Sequence, residues 1–230
     1  MDMIAQLSIK VKGIRPSLAI FADADWTGNV RGYVSEELLD RALGMPDITT
    51  MEQLIGERAC IQMVKDIGMD LAFTGITDMP YSKLSDNFGH YFHQSEQIPS
   101  YFWSLLLINE ENEVVRSIGI AAQLLPGAPP SILRQIKEAV IERERQAPFC
   151  LNDDTIEVLP NLLFEDIEVM STNTLQLFCE CSKPVFYPML YSLGITELKV
   201  ACANRQSIEF VCHACGQAYS FSPEEIAGLV

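Results

Sequence analysis

Near its start the chain alternates apolar and polar residues. Leu7, Ile9 and Val11 alternate with Ser8, Lys10 and Lys12, a period of two that predicts a half-buried strand stopped at Gly13. A second apolar run covers residues 17–22, a turn covers 23–29, and a third strand covers 30–34. Ser35 is placed to cap a short helix with Glu36 and Glu37 in its first turn and Gly44 at its end. Residues 58–64 and 70–76 form another pair of strands. Leu84, Phe88, Tyr91 and Phe92 then recur at helical spacing, and Pro99 lies just past that helix. Two apolar runs, 101–108 and 114–120, flank a polar stretch and predict a hairpin. Strands, a helix and further strands indicate an α+β domain with a mixed sheet over residues 1–127.

Pro126-Gly127-Ala128-Pro129-Pro130 breaks the pattern. Beyond it Ile132, Leu133, Ile136, Ala139 and Val140 make one helical stripe, followed by a charged run. Residues 128–175 are expected to be a linker with two helices, the second weakened by Pro160. Helices of this length need support in water. Two readings of that support stand: the segment following in sequence, which would make the linker conditionally stable, or the main domain, on which two ordinary helices would pack. Residues 176–230 form a small unit. Ser182 can cap a helix ending at Gly194. Residues 208–211 and 218–221 alternate as a hairpin, and Ser222-Pro223-Glu224-Glu225 has the form of a capping box with Pro at the first helical position.

Composition narrows the function. With 48% hydrophobic residues in 230, the chain can build a core. No stretch reaches the roughly 20 apolar residues of a membrane span. The start Met1-Asp2-Met3-Ile4 lacks a basic region, so no signal peptide is expected and a cytoplasmic location is. The net charge is −15, and residues 151–230 hold 11 acidic against 3 basic side chains. Such a surface argues against nucleic acid as a partner, which calls for a basic face.

The candidate chemistry is in four of the seven cysteines. Cys179-Glu180-Cys181 and Cys212-His213-Ala214-Cys215 form two close pairs separated by 30 residues. Two such pairs can close a tetrahedral thiolate cage around one Zn²⁺, with no position left for substrate. That makes the expected site structural, and its metal a large part of the folding energy of residues 176–230. Thiolates are also what oxidants attack, so the same cage can sense oxidation. In a reducing compartment, close pairs point to metal or redox chemistry rather than to structural disulfides. His213 is left out because four sulfurs saturate the ion. His90 and His93 are read as surface or core-edge residues, and Cys60, Cys150 and Cys202 as small buried hydrophobes.

Several motifs then resemble one family, the 33-kilodalton heat-shock proteins, which are redox-regulated holdase chaperones. Phe178-Cys179-Glu180-Cys181-Ser182 is similar to the family's first cysteine pair, and residues 210–221 to its second pair and Tyr-x-Phe strand. Residues 7–16 resemble its Lys-Gly-x-x-Pro strand and turn, Val30-Arg31-Gly32-Tyr33-Val34 its Arg-Gly strand, Ser95-Glu96-Gln97-Ile98-Pro99 the end of its helix, and Gln123-Leu124-Leu125-Pro126 the close of its main domain. The chain departs from the pattern in two ways. The family usually carries several tens of residues before the first strand. Its glycine pairs are replaced here by Gly56-Glu57-Arg58 and Ile120-Ala121-Ala122.

The resemblance implies three parts: a chaperone core over 1–127, a redox-sensitive helical linker over 128–175 and a zinc-binding redox switch over 176–230. It implies that Cys179, Cys181, Cys212 and Cys215 hold one zinc when reduced. Oxidation would then form Cys179–Cys181 and Cys212–Cys215 disulfides, release zinc and unfold the linker. The active form would bind unfolded or oxidatively damaged client proteins, commonly as a homodimer and without enzymatic turnover. Two other readings stay open. A thiol–disulfide oxidoreductase could use Cys212 and Cys215, although such enzymes place the first cysteine at a helix N-terminus. A zinc-structured module could bind one fixed partner, and a client-aggregation assay separates it from a chaperone.

Overall fold

The computed structural model describes residues 6–13, 18–45, 47, 50–68, 71–111, 113–146, 164 and 167–229. Its centre is a six-stranded mixed sheet. The strands are β1 (Gln6–Lys12), β2 (Ala19–Asp25), β3 (Asn29–Val34), β4 (Cys60–Asp66), β5 (Ala72–Asp78) and, from much later in the chain, a two-residue strand (Gln176–Leu177). A separate hairpin, β6 (Ser100–Ile108) and β7 (Val114–Gln123), comes between, so the late strand is β8. The sheet order is β5-β4-β1-β2-β3-β8; all neighbours are antiparallel except β3 and β8. The α+β expectation and the mixed sheet both hold.

Alternation along β1 places Val11 opposite Ile61 of β4, and both are buried. With Leu18, Leu38, Ile55, Met63 and Tyr91 they form the first core. The turn after β2 is narrower than the expected 23–29, because Asp25 organises it. Its carboxylate accepts from the Thr27 N–H (2.8 Å) and hydroxyl (2.5 Å) and from the Asn29 side-chain amide (2.9 Å). Such local bonds are how Asp makes tight turns.

Helix α1 (Glu36–Gly44) starts at Ser35, but Ser35 does not cap it. Its hydroxyl instead accepts from the Ala19 N–H at 3.0 Å, tying the helix start to β2. Helix α2 (Met51–Ile55) is too short to show a period; its capping box, Thr50 with Gln53, was its only signal. Helix α3 (Leu84–Ser95) packs on β5 and β6, joining the sheet to the hairpin.

Of the two supports expected for the linker helices, the first helix has the main domain. Helix α4 (Ser131–Gln146) packs on β6 and β7, with Val140 fully buried and the Trp103 indole N–H donating to Glu144 at 3.3 Å. A short connection after β7 folds the helix back onto the hairpin it follows, so its support precedes it in sequence. The expected second helix, around Pro160, lies outside the described residues.

After β8 come a 3-10 turn (Lys183–Phe186), α5 (Tyr187–Ser192), α6 (Ile195–Ala203), β9 (Ile208–Val211), β10 (Ala218–Phe221) and α7 (Pro223–Ala227). They enclose a second core of Phe186, Leu190, Leu198, Phe221 and Ile226. The Ser222–Glu225 capping box forms as expected. The helix expected to end at Gly194 is split into the 3-10 turn and α5, both short.

Candidate metal centre

The two cysteine pairs meet at one end of this second core. Strand β8 delivers Cys179 and Cys181, and the turn between β9 and β10 delivers Cys212 and Cys215. That turn is closed by Gly216 N–H to Cys212 O (2.7 Å) and Cys212 N–H to Gln217 O (2.8 Å). Gly216 sits at φ +76°, in the left-handed region where a side chain is strained, so a glycine after the pair lets both sulfurs point one way.

All four sulfurs lie within 4.8 Å of one another. Cys179 Sγ is 3.7 Å from Cys212 Sγ, and Cys181 Sγ is 3.3 Å from Cys215 Sγ. A tetrahedron with Zn–S bonds of about 2.3 Å has edges of about 3.8 Å, so this donor set fits a zinc ion in number, type and spacing. Cys212 is buried and Cys215 is exposed, which leaves the cage reachable from solvent on one side.

The sulfurs are electrostatically unequal. Burial works against charge on Cys179, but the Cys181 N–H and the side chains of Cys181, Cys212 and Cys215 outweigh it and bring its pKa down to about 7. For Cys215 the Gln217 N–H favours the thiolate. The Cys181 side chain, burial and the other sulfurs overcome that and push it up to about 12. Four negative sulfurs this close repel, so full ionisation calls for a cation among them.

Two supporting residues carried no spacing signal in the sequence. Tyr219 on β10 donates its hydroxyl to Cys181 O at 2.9 Å and lies 3.1 Å from Cys181 Sγ. That sulfur, burial and the neighbouring charges raise the tyrosine to about 12, so it stays a donor. Arg31 on β3 pairs with Asp23 at 2.8 Å and lies near enough to the Cys179 sulfur to interact with it electrostatically. Asp23 is 6% exposed and further satisfied by Gln6 (2.7 Å) and Ser8 (2.6 Å), so the guanidinium is held in place.

The remaining candidates stay apart from the cluster. His213 is exposed and meets the Tyr33 ring edge-on, 5.7 Å between centroids. His90 contacts Asp78 at 2.9 Å on the other side of the sheet, and His93 is exposed. Cys60 lies in β4, and the Cys202 thiol donates to Pro223 O at 3.6 Å; both are half-buried. Cys150 lies outside the described residues. The Cys212–Cys215 pair sits between two strands. Among the described residues, no helix is long and apolar enough to cross a membrane.

The chain matches the family described as Hsp33 protein over residues 2–222. It is 31% identical over 225 residues to a 33 kDa chaperonin of Bacillus subtilis, covering 97% of this chain and 77% of that protein. A 33 kDa chaperonin of Staphylococcus epidermidis is 30% identical, with 98% and 78% covered. The crystal structure of a 33 kDa chaperonin from Thermotoga maritima superposes with a TM-score of 0.76 at 20% identity, covering all of this chain and 78% of that one. The fold is thus shared, and with a match running through both cysteine pairs, the chain belongs to the Hsp33 family.

Proposed function

We propose that this protein is a redox-gated, ATP-independent holdase chaperone of the cytoplasm, with Cys179, Cys181, Cys212 and Cys215 as both its zinc ligands and its redox-active groups. The observation that carries this reading is the convergence of four sulfurs within 4.8 Å from segments 30 residues apart. A bound zinc would supply the charge that lets the four thiolates coexist and would tie β8 to the β9–β10 hairpin. Chain residues do the rest. Tyr219 fixes Cys181, the Arg31 charge favours the Cys179 thiolate, and the exposed side of Cys215 admits an oxidant.

Within each pair, two thiol groups lose two protons and two electrons to a peroxide, which leaves as two waters while one S–S bond forms. The pairing inferred from the family is Cys179–Cys181 and Cys212–Cys215. A disulfide cannot serve as a thiolate ligand, so oxidation removes the clip and loosens residues 176–230. Leu175, Leu177 and Phe178, already exposed, are released with it and add to the apolar surface for unfolded or oxidatively damaged clients. The expected active form is a homodimer, and the proposed division is core 1–127, linker 128–175 and switch 176–230. Light scattering of a heat-unfolding reporter such as citrate synthase tests this. The peroxide-treated protein should suppress aggregation near stoichiometry and the reduced, zinc-loaded protein should not; equal suppression by both forms contradicts the gate.

A further inference from the structure

Strand β3 is the outer strand of the sheet except where β8 lies on it. Gln176 N–H donates to Gly28 O and Phe178 N–H to Val30 O, each at 3.0 Å. Backbone groups alternate sides along a strand. The outward set on β3 is therefore Val30, Gly32 and Val34, while Arg31 and Tyr33 turn theirs toward Asp23 and Phe21 of β2. β8 covers only the Asn29–Val30 end, and Gly32 and Val34 are exposed. A bare strand edge attracts other extended chains, which is why folds cover one. Gly28 suits such a cover. It sits at φ +91°, and the Thr174 carbonyl occupies the place a Cβ would take.

The cover is fastened to both cysteine pairs. Leu177 lies two residues before Cys179, the Arg31 guanidinium interacts electrostatically with the Cys179 sulfur, and His213, between Cys212 and Cys215, rests against Tyr33. Each contact lands on β3, so separating the sulfurs frees the whole edge at once.

We propose that the outer edge of β3 is a strand-accepting site, filled by β8 while the sulfurs are together, whose occupant after they separate is an extended apolar segment of an unfolding protein. The gating rests on the redox reading above; the site itself does not. Strand addition draws its affinity from main-chain hydrogen bonds, so it tolerates many sequences, as a binder of varied unfolded chains requires. Exposed Trp26 and Val34 flank the edge with apolar surface. Asp25 and Asp66, which stay on the sheet when the cover leaves, line the cavity at its turn end, so a segment with a lysine or arginine beside its apolar run fits best.

The test uses the full chain and a fluorescein-labelled peptide of alternating valine and threonine with a terminal lysine. The peptide should bind the oxidised protein and slow amide exchange at Gly32 and Val34. It should also bind reduced, zinc-loaded Gln176→Pro, which lacks the donor to Gly28 O and frees β8 without oxidant. Reduced wild type and oxidised Val34→Pro should bind at least about tenfold more weakly, the worth of roughly one hydrogen bond. Proline is tolerated on strand edges, and the Val34 N–H is not used toward β2. Peptide binding with unchanged exchange at Gly32 and Val34, or no binding to either open form, overturns the proposal. Binding to reduced Gln176→Pro with no gain on oxidising wild type supports the edge site and overturns the redox gate instead.

Discussion

Replacing any one of Cys179, Cys181, Cys212 and Cys215 by serine leaves three sulfurs in a site whose spacing is set for four. Zinc affinity should then fall by more than the roughly 10–100-fold that losing a supporting contact costs. Tyr219→Phe should fall within that smaller range, because it removes only the hydroxyl holding Cys181. Competition with a chromophoric chelator measures both, and wild-type affinity in any Cys→Ser variant would count against the cage. Asp25 gives a separate prediction. The Thr27 hydroxyl, then Asn29 and two backbone N–H groups, lower its pKa from 3.8 to about 2. A depressed carboxyl pKa contributes stability above the unfolded value and loses it as the pH falls through the folded one. The melting temperature should therefore drop between pH 4 and pH 2 by a margin that Asp25→Asn reduces; equal slopes for both proteins would show that the turn contributes nothing.

At the scale of elements, the support of α4 decides which segment opens. Val140 is fully buried and α4 packs on β6 and β7, outside the cysteine unit. Peroxide should therefore leave α4 protected and open residues 167–178, where chymotrypsin finds Met170, Leu175, Leu177 and Phe178. Cleavage within α4 at the same rate would show that the helix depends on the cluster after all. The same comparison shows what a sequence can carry. β1, the β9–β10 hairpin and the Ser222 cap were legible because their signals lie within a few residues. Helix α6 was not, because Ile195, Leu198, Val200, Ala201 and Cys202 leave it no polar face to set a period. Two-residue β8 exists only through its pairing with β3, far away in sequence, and no local pattern encodes it. The cysteine cage was legible from spacing alone, whereas Arg31 and Tyr219 reach it only through the tertiary fold.

For the whole molecule, the balance lies between exposing apolar surface and staying in solution. A net charge of −15 opposes aggregation of the chain. Among the described residues, Cys60 and Cys202 stand outside the four-sulfur cluster, and Cys150 has no close partner in sequence. A variant with all three changed to serine should keep its zinc and activate normally; failure to activate with zinc and fold intact would place a second redox site among them. Whether the four-sulfur cluster is the gate is decided by one titration. The reduced, zinc-loaded protein is treated with increasing peroxide, and released zinc and suppression of reporter aggregation are read on the same samples. One zinc should be released per chain, with chaperone activity rising in step with release. Activity that is full before zinc leaves, or absent after all of it has left, would show that the cluster is not the gate.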